Sequence, residues 1–186
     1  MPGIPFSMPL SDALHPLVGC PVDGPIDGQR AALAQLCAEA GWPEVHKEDS
    51  GRPRVGGAFC SLSHGGGWAV AARHLRPIGI DVEAESDRLF RVRNRFCGPL
   101  DAPVTDCFGD GAEALCRLWT AKEAAFKAFG TAVDFLTGLE WDEVTESGAR
   151  IHALQHGRQL GLQWTRMPGD RPVWLAVAIA DPDITA

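Results

Sequence analysis

Ile78-Gly79-Ile80-Asp81-Val82-Glu83 is the stretch around which the rest of this 186-residue chain organises. β-Branched residues alternate with Gly, Asp and Glu, so the segment reads as a two-faced strand. Ile78, Ile80 and Val82 form one face; Gly79, Asp81 and Glu83 form the other. At strand spacing the two carboxylates stand about 6–7 Å apart on the same side. Two readings are open. One is a half-exposed strand end with solvated acids. The other is a pair of hard oxygen ligands whose repulsion a divalent cation relieves, magnesium foremost. Gly79 leaves space on the acidic face.

Upstream, Phe59 to Leu62 and Trp68 to Ala72 read as short strands. Before them, a helix is expected over 28–40, with Ala32, Leu33, Leu36 and Cys37 on one face, Asp27 as its cap and Gly41 as its stop. Residues 1–27 are rich in Pro and Gly and read as an irregular arm. Downstream, 86–97 predicts a helix capped by Ser86, and 98–111 a loop with two prolines. A strong helix over 112–129 stops at Gly130. Strands over about 138–145, 149–154, 159–165 and 172–180 follow, with a turn at His156-Gly157.

Segregated strands joined by short turns favour an antiparallel α+β fold over a parallel sheet. The halves are loosely alike. Each has a helix and then strands, ending in an Ala/Val-rich strand, Trp68 to Ala71 and Trp174 to Ala178. The expected division is an arm over 1–27, an N-terminal lobe over 28–84 and a C-terminal lobe over 85–186, the lobes together forming one unit.

Apolar residues make up 45% of the chain, enough for a packed core. The net charge of -7 argues against general nucleic-acid binding. No apolar run approaches the roughly 18 residues of a membrane span, and no signal peptide is evident. The six cysteines are scattered without a CxxC pair, which favours reduced thiols and a cytoplasmic location.

On the helix over 112–129, Leu115, Leu118, Lys122, Ala125 and Phe129 follow the 3–4 spacing of an apolar stripe, widened by Trp119 and Phe126. Lys122 interrupts that stripe and must snorkel, pair or meet a ligand. Glu123 and Lys127 share a face. They are either a surface pair worth about 0.3–0.5 kcal/mol or a third metal oxygen beside a phosphate-neutralising cation. In Ser63-His64-Gly65-Gly66-Gly67 a plain hairpin turn competes with an anion-binding nest of amides. It is neither a Walker loop nor a nucleophile elbow. Gly51-Arg52-Pro53 offers one cation fixed in a turn.

Taken in order and at their spacing, Gly51-Arg52-Pro53, Ser61-Leu62-Ser63-His64, Ile78 to Glu83 and Trp119-Thr120-Ala121-Lys122-Glu123-Ala124-Ala125-Phe126-Lys127 resemble the motifs of the 4′-phosphopantetheinyl transferases. The likeness is to the larger, pseudo-dimeric type and covers roughly residues 48–180. It implies two similar lobes in a pseudo-twofold arrangement, each with an antiparallel sheet and a long helix, and the active site between them.

The resemblance also implies roles. Asp81, Glu83 and Glu123 would hold magnesium, with manganese as the alternative. Lys122 would contact the pyrophosphate of coenzyme A, and Lys127 would help neutralise it. Arg52, Ser63 and His64 would grip the 3′-phosphate, and Arg30 and Lys47 are weak candidates for helping to bind coenzyme A. Asp101 stands where the family carries a general base, usually Glu in the larger enzymes; Asp106 or a metal-bound water are the alternatives.

The implied reaction moves the phosphopantetheine arm to a serine of an acyl or peptidyl carrier protein and releases adenosine 3′,5′-bisphosphate. Fatty-acid, polyketide and nonribosomal peptide carriers all fit. Such carriers are acidic, so Arg88, Arg91, Arg93 and Arg95 offer a docking face, against the plainer reading of a solvated charged surface. A two-lobed chain completes its site as a monomer, with no nucleic acid or membrane partner. The rival readings are a magnesium-dependent coenzyme A or nucleotide phosphohydrolase and a non-catalytic coenzyme A-binding module.

Overall fold

The structure is a computed structural model that describes residues 6–9, 16–22, 24, 26–49, 51–129, 133–155 and 157–182. It is a mixed α+β fold built on two antiparallel sheets. The first has six strands: β1 (Phe6–Pro9), β2 (Pro16–Pro21), β3 (Val45–Lys47), β4 (Pro53–Val55), β5 (Ala58–Gly65) and β6 (Trp68–His74). Their spatial order is β1-β2-β6-β5-β4-β3. The second sheet holds β7 (Ile78–Ala84), β8 (Leu139–Asp142), β9 (Gly148–Ala153), β10 (Arg158–Arg166) and β11 (Val173–Ala180), in the order β7-β11-β10-β9-β8.

Each sheet carries one long helix. Helix α1 (Ile26–Glu39) packs Leu36 and Cys37 with Trp42, Val55, Cys60 and Ala71. The second sheet is covered by three helices: α2 (Asp87–Val92), α3 (Ala102–Phe108) and α4 (Ala112–Phe129). Helix α4 sets Leu115, Leu118, Ala121, Ala125 and Phe129 against Leu139, Ile151, Leu160 and Leu162 in the largest buried cluster. Its 18 residues are the ones the apolar spacing predicts.

The arm expected over 1–27 is not irregular where it is described. Phe6–Pro9 and Pro16–Pro21 form one flank of the first sheet, with Leu17 opposite Ala72 and Gly19 opposite Val70. Proline is tolerated there because strand ends and outer strands leave an N–H free of the ladder. The loop expected over 98–111 is also partly helical. A 3₁₀ turn over Pro99–Asp101 leads into α3, where Pro103 occupies the first turn, the place that accepts proline. The helix expected over 86–97 is α2 followed by a 3₁₀ turn at Arg93–Arg95. His156 lies outside the described residues.

The lobe boundary drawn after residue 84 does not follow the hydrogen bonds. Strand β7 pairs along its length with β11, Asp81 opposite Ala176 and Glu83 opposite Trp174, so it belongs to the second sheet. Its apolar face meets the first sheet: Ile78, Ile80 and Val82 are buried with Val70, Ala72 and Leu175. Strand β7 is therefore the seam of the molecule. One edge is laddered to β11, the other faces β5, and Gly79, Asp81 and Glu83 face α4.

Candidate active site

A strand at the edge of a sheet presents unpaired N–H and C=O groups that must be satisfied if buried. On β7 they are met by side chains of the first sheet. Ser61 Oγ accepts from the Ile80 N–H at 3.0 Å, and Ser63 Oγ from the Val82 N–H at 3.2 Å. Both serines are buried, at 2% and 4% exposure. The close approach also explains Gly65. A Cβ there would lie 2.2 Å from the Val82 carbonyl oxygen. The two sheets are thus joined by hydroxyls standing in for a backbone ladder.

Helix α4 comes equally close on the acidic face of β7. A Cβ on Gly79 would sit 1.9 Å from the Ala124 carbonyl oxygen and 2.5 Å from the Ala128 nitrogen. The absence of a side chain at 79 lets the helix lie flat on the strand. That brings residues 123 and 127 over Asp81.

Asp81 is the centre of the result. Its Oδ1 accepts from Ser63 Oγ at 2.9 Å and from Lys127 Nζ at 2.8 Å. Lys127 Nζ also donates to the Ile80 carbonyl at 3.0 Å and lies 3.4 Å from Ser63 Oγ. Glu123, one turn before Lys127, is half-buried. Burial first and the charge of Asp81 second push its carboxyl above the usual glutamate range, with Lys127 opposing. Glu83 turns outward, with Oε2 paired to Arg88 at 2.9 Å and Oε1 accepting from the Ala84 N–H at 3.0 Å.

Three expected site residues are placed otherwise. Lys122 points away from Asp81, into the core beneath α4, at 1% exposure. Its ammonium donates to the Phe96 carbonyl and the Asp101 carboxylate, each at 2.7 Å, and to the Phe135 carbonyl. Its three donors are met by three protein acceptors, so the structure does not bring Lys122 to the acids of β7. Asp101 lies with it, away from Asp81. It is 3% exposed and accepts from Lys122, from Trp141 Nε1 at 2.8 Å and from the Gly98 N–H at 2.7 Å. These three donors anchor the carboxylate in the core. Asp106 is exposed on α3.

The phosphate grip expected of Arg52, Ser63 and His64 is not brought together as one cluster. Ser63 is turned to Asp81, while His64, next along β5, points to the opposite face, the one that carries Cys60 and Leu62. Arg52 crosses from the first sheet to the end of α4, where its Nη2 donates to the Ala128 carbonyl at 3.0 Å. That is a favourable place for a cation, beside the open carbonyls of a helix C-terminus. The glycines after His64 form the β5–β6 hairpin. Gly66 and Gly67 both take positive φ, at 58° and 84°, as a tight two-residue turn demands.

Residues 77–178, more than half of the chain, match the sequence model of the 4′-phosphopantetheinyl transferase superfamily. The chain belongs to that superfamily. The phosphopantetheinyl transferase match begins at the seam strand β7, spans the whole of α4 and closes within β11, so it contains Asp81, Glu83, Glu123 and Lys127. No individual curated protein matches the chain. The family's chemistry is phosphopantetheinyl transfer with coenzyme A as substrate, and this member is accordingly a transferase.

The residues missed from sequence are those that build the seam. Ser61 carries no role in the sequence reading, because a serine in a strand gives no signal of the edge it will meet. Arg88 engages Glu83 and so stands at the site as well as on the surface of α2.

A divalent cation fits the donor set. Asp81 is buried, Glu123 is half-buried with its carboxyl raised by burial and by the charge of Asp81, and both are hard oxygen donors. Among the described residues no three Asp, Glu, His or Cys side chains stand together as a metal cluster. Glu83 is paired to Arg88, whose side chain is 58% exposed, so that pair is weakly held.

Proposed function

We propose that the chain transfers the phosphopantetheine arm of coenzyme A to a serine hydroxyl of an acyl or peptidyl carrier protein, with magnesium held by Asp81, Glu83 and Glu123. The observation that carries the reading is the convergence of Asp81, Glu123 and Lys127 between β7 and α4. Attack on a pyrophosphate phosphorus needs charge neutralised and partners aligned more than it needs an enzyme nucleophile. When bound, the cation supplies charge neutralisation at the pyrophosphate.

The chain's own residues supply the rest. Lys127 is the cation paired to Asp81, and at 29% side-chain exposure it is open to a ligand where Lys122, at 1%, is not; it neutralises the phosphate in place of the buried Lys122. Arg52 extends the positive wall toward the end of α4 for the 3′-phosphate. Glu123 faces Asp81 at the site, whereas Asp101 is held by Lys122 in the core, so the proton of the carrier serine is taken up on the Glu123 side. The serine oxygen bonds to the phosphorus that bears the pantetheine arm, its proton passes to Glu123, and adenosine 3′,5′-bisphosphate leaves.

Carrier docking falls to the outer surface of α2 and the following turn. Arg88, Arg91, Arg93 and Arg95 are exposed there around Phe90, itself 38% exposed. A basic surface with an apolar centre suits an acidic helical partner. The chain acts on it as a monomer in the cytoplasm, since both walls of the site come from one polypeptide.

Incubation with coenzyme A, magnesium and an apo carrier, followed by the intact mass of the carrier, tests this. A gain of one phosphopantetheine with release of the bisphosphate is expected. Bisphosphate released with no change in the carrier would instead make the protein a hydrolase, and binding without turnover a coenzyme A-binding module.

A further inference from the structure

We infer that Lys127 competes with the divalent cation for Asp81, and so couples cation binding to binding of the anionic ligand. This rests on the reading of Asp81 as a cation ligand. Both Lys127 and Ser63 bond Oδ1 of Asp81, at 2.8 and 2.9 Å. Lys127 holds the Ile80 carbonyl with the same ammonium, at 3.0 Å. Of the two basic side chains on the acids of β7, Lys127 is the firmer. Arg88 holds Glu83 from an exposed position, whereas the Lys127–Asp81 pair is 29% and 11% exposed and so less screened.

A divalent cation and an ammonium cannot share one carboxylate at close range without strong repulsion. A cation taken up by Asp81 and Glu123 therefore loosens Lys127. Its stem is anchored on the same face of α4 as Glu123, about 40° round the helix, so the freed ammonium stays beside the acids. A phosphate arriving there receives it. Conversely, a phosphate that draws Lys127 off Asp81 opens the carboxylate to the cation. Such coupling is reciprocal by linkage. Lys127 thus serves as a counter-charge passed between the protein's own acid and the ligand, and cation and coenzyme A assist each other's binding.

Manganese titration followed by electron paramagnetic resonance reads this without turnover. In Lys127→Gln the competitor is gone. Manganese should bind about five-fold tighter or more than to wild type, a shift at the low end of ordinary coupling energies. Lys127→Met, which keeps the stem, should do the same and guards against a local packing defect. Added coenzyme A should tighten manganese on wild type and lose that effect in both variants. Manganese that binds wild type but binds both variants no tighter overturns this inference alone. Manganese that does not bind wild type overturns the metal reading of Asp81 and Glu123, and this inference with it.

Discussion

Ser63 Oγ donates a hydrogen bond of 2.9 Å to Asp81 Oδ1 while accepting one of 3.2 Å from the N–H of Val82, so a single hydroxyl both orients the central acid and closes the edge of its strand. Ser63→Ala removes both. A buried N–H without a partner costs about 1–3 kcal/mol, and a lost hydrogen bond to a charged group about as much again in orientation. The variant should unfold at lower urea concentration. Its kcat/KM for coenzyme A should fall about ten-fold or more by the same magnitudes. Wild-type stability with wild-type turnover would mean that the seam does not depend on this hydroxyl.

Lys122 and Asp101 make a different prediction from the one their sequence positions invite. Removing one partner of a buried, hydrogen-bonded pair costs about 3–5 kcal/mol because the other charge is left behind. Lys122→Met should therefore lose stability on that scale in guanidinium denaturation. Lys122→Met with Asp101→Asn should recover part of it, the signature of direct coupling. If Lys122→Met were as stable as wild type and impaired only in coenzyme A binding, Lys122 would be a ligand after all.

Much of this was legible in the chain. The span of α4 and the two faces of β7 follow from periodicity, and tertiary contacts reinforce those patterns. The side on which Lys122 falls was legible too. It lies five residues from Lys127, about 140° round the helix, so the two leave α4 in different directions. Ser63 and His64 alternate in the same way across β5. What could not be read was which neighbour each face would meet. The Pro-rich segments at Pro16 and Pro53 conceal strands because proline is harmless at the first position of a strand. Ser61 and Ser63 gained their meaning only from a sheet formed by residues later in the sequence.

Glu123 gives a pH-dependent test of the paired acids. Its carboxyl is raised in the folded protein by burial and by Asp81, so folding favours the protonated form. Its destabilising effect is absent below the unfolded-state pKa, grows as pH rises through the window up to the raised folded value, and is constant above it. Glu123→Gln removes the charge. The variant should melt at a higher temperature than wild type at neutral pH, and the gap should close on acidification. A gap that stays constant with pH would mean that the fold does not raise the Glu123 carboxyl.

Gly79 tests the approach of the helix. Its missing side chain lets the Ala124 carbonyl lie where a Cβ would be, at 1.9 Å. Backbone cannot yield as a side-chain end can, so Gly79→Ala should cost at least about 1–3 kcal/mol by overpacking. It should also lift Glu123 and Lys127 away from Asp81, lowering kcat more than the loss of folded protein explains. Folded Gly79→Ala with full kcat would show that the close contact is not needed for the site.

The most direct test of the account is the rate of carrier modification by Asp81→Asn, measured by intact mass beside wild type. The side chain keeps its shape and loses the charge to which Lys127, Ser63 and the proposed cation all answer. The account predicts a kcat/KM reduced by about a hundred-fold or more, as for loss of a charge-stabilising group at a reacting centre, in a protein that still folds. Carrier modified by Asp81→Asn at the wild-type rate would contradict it.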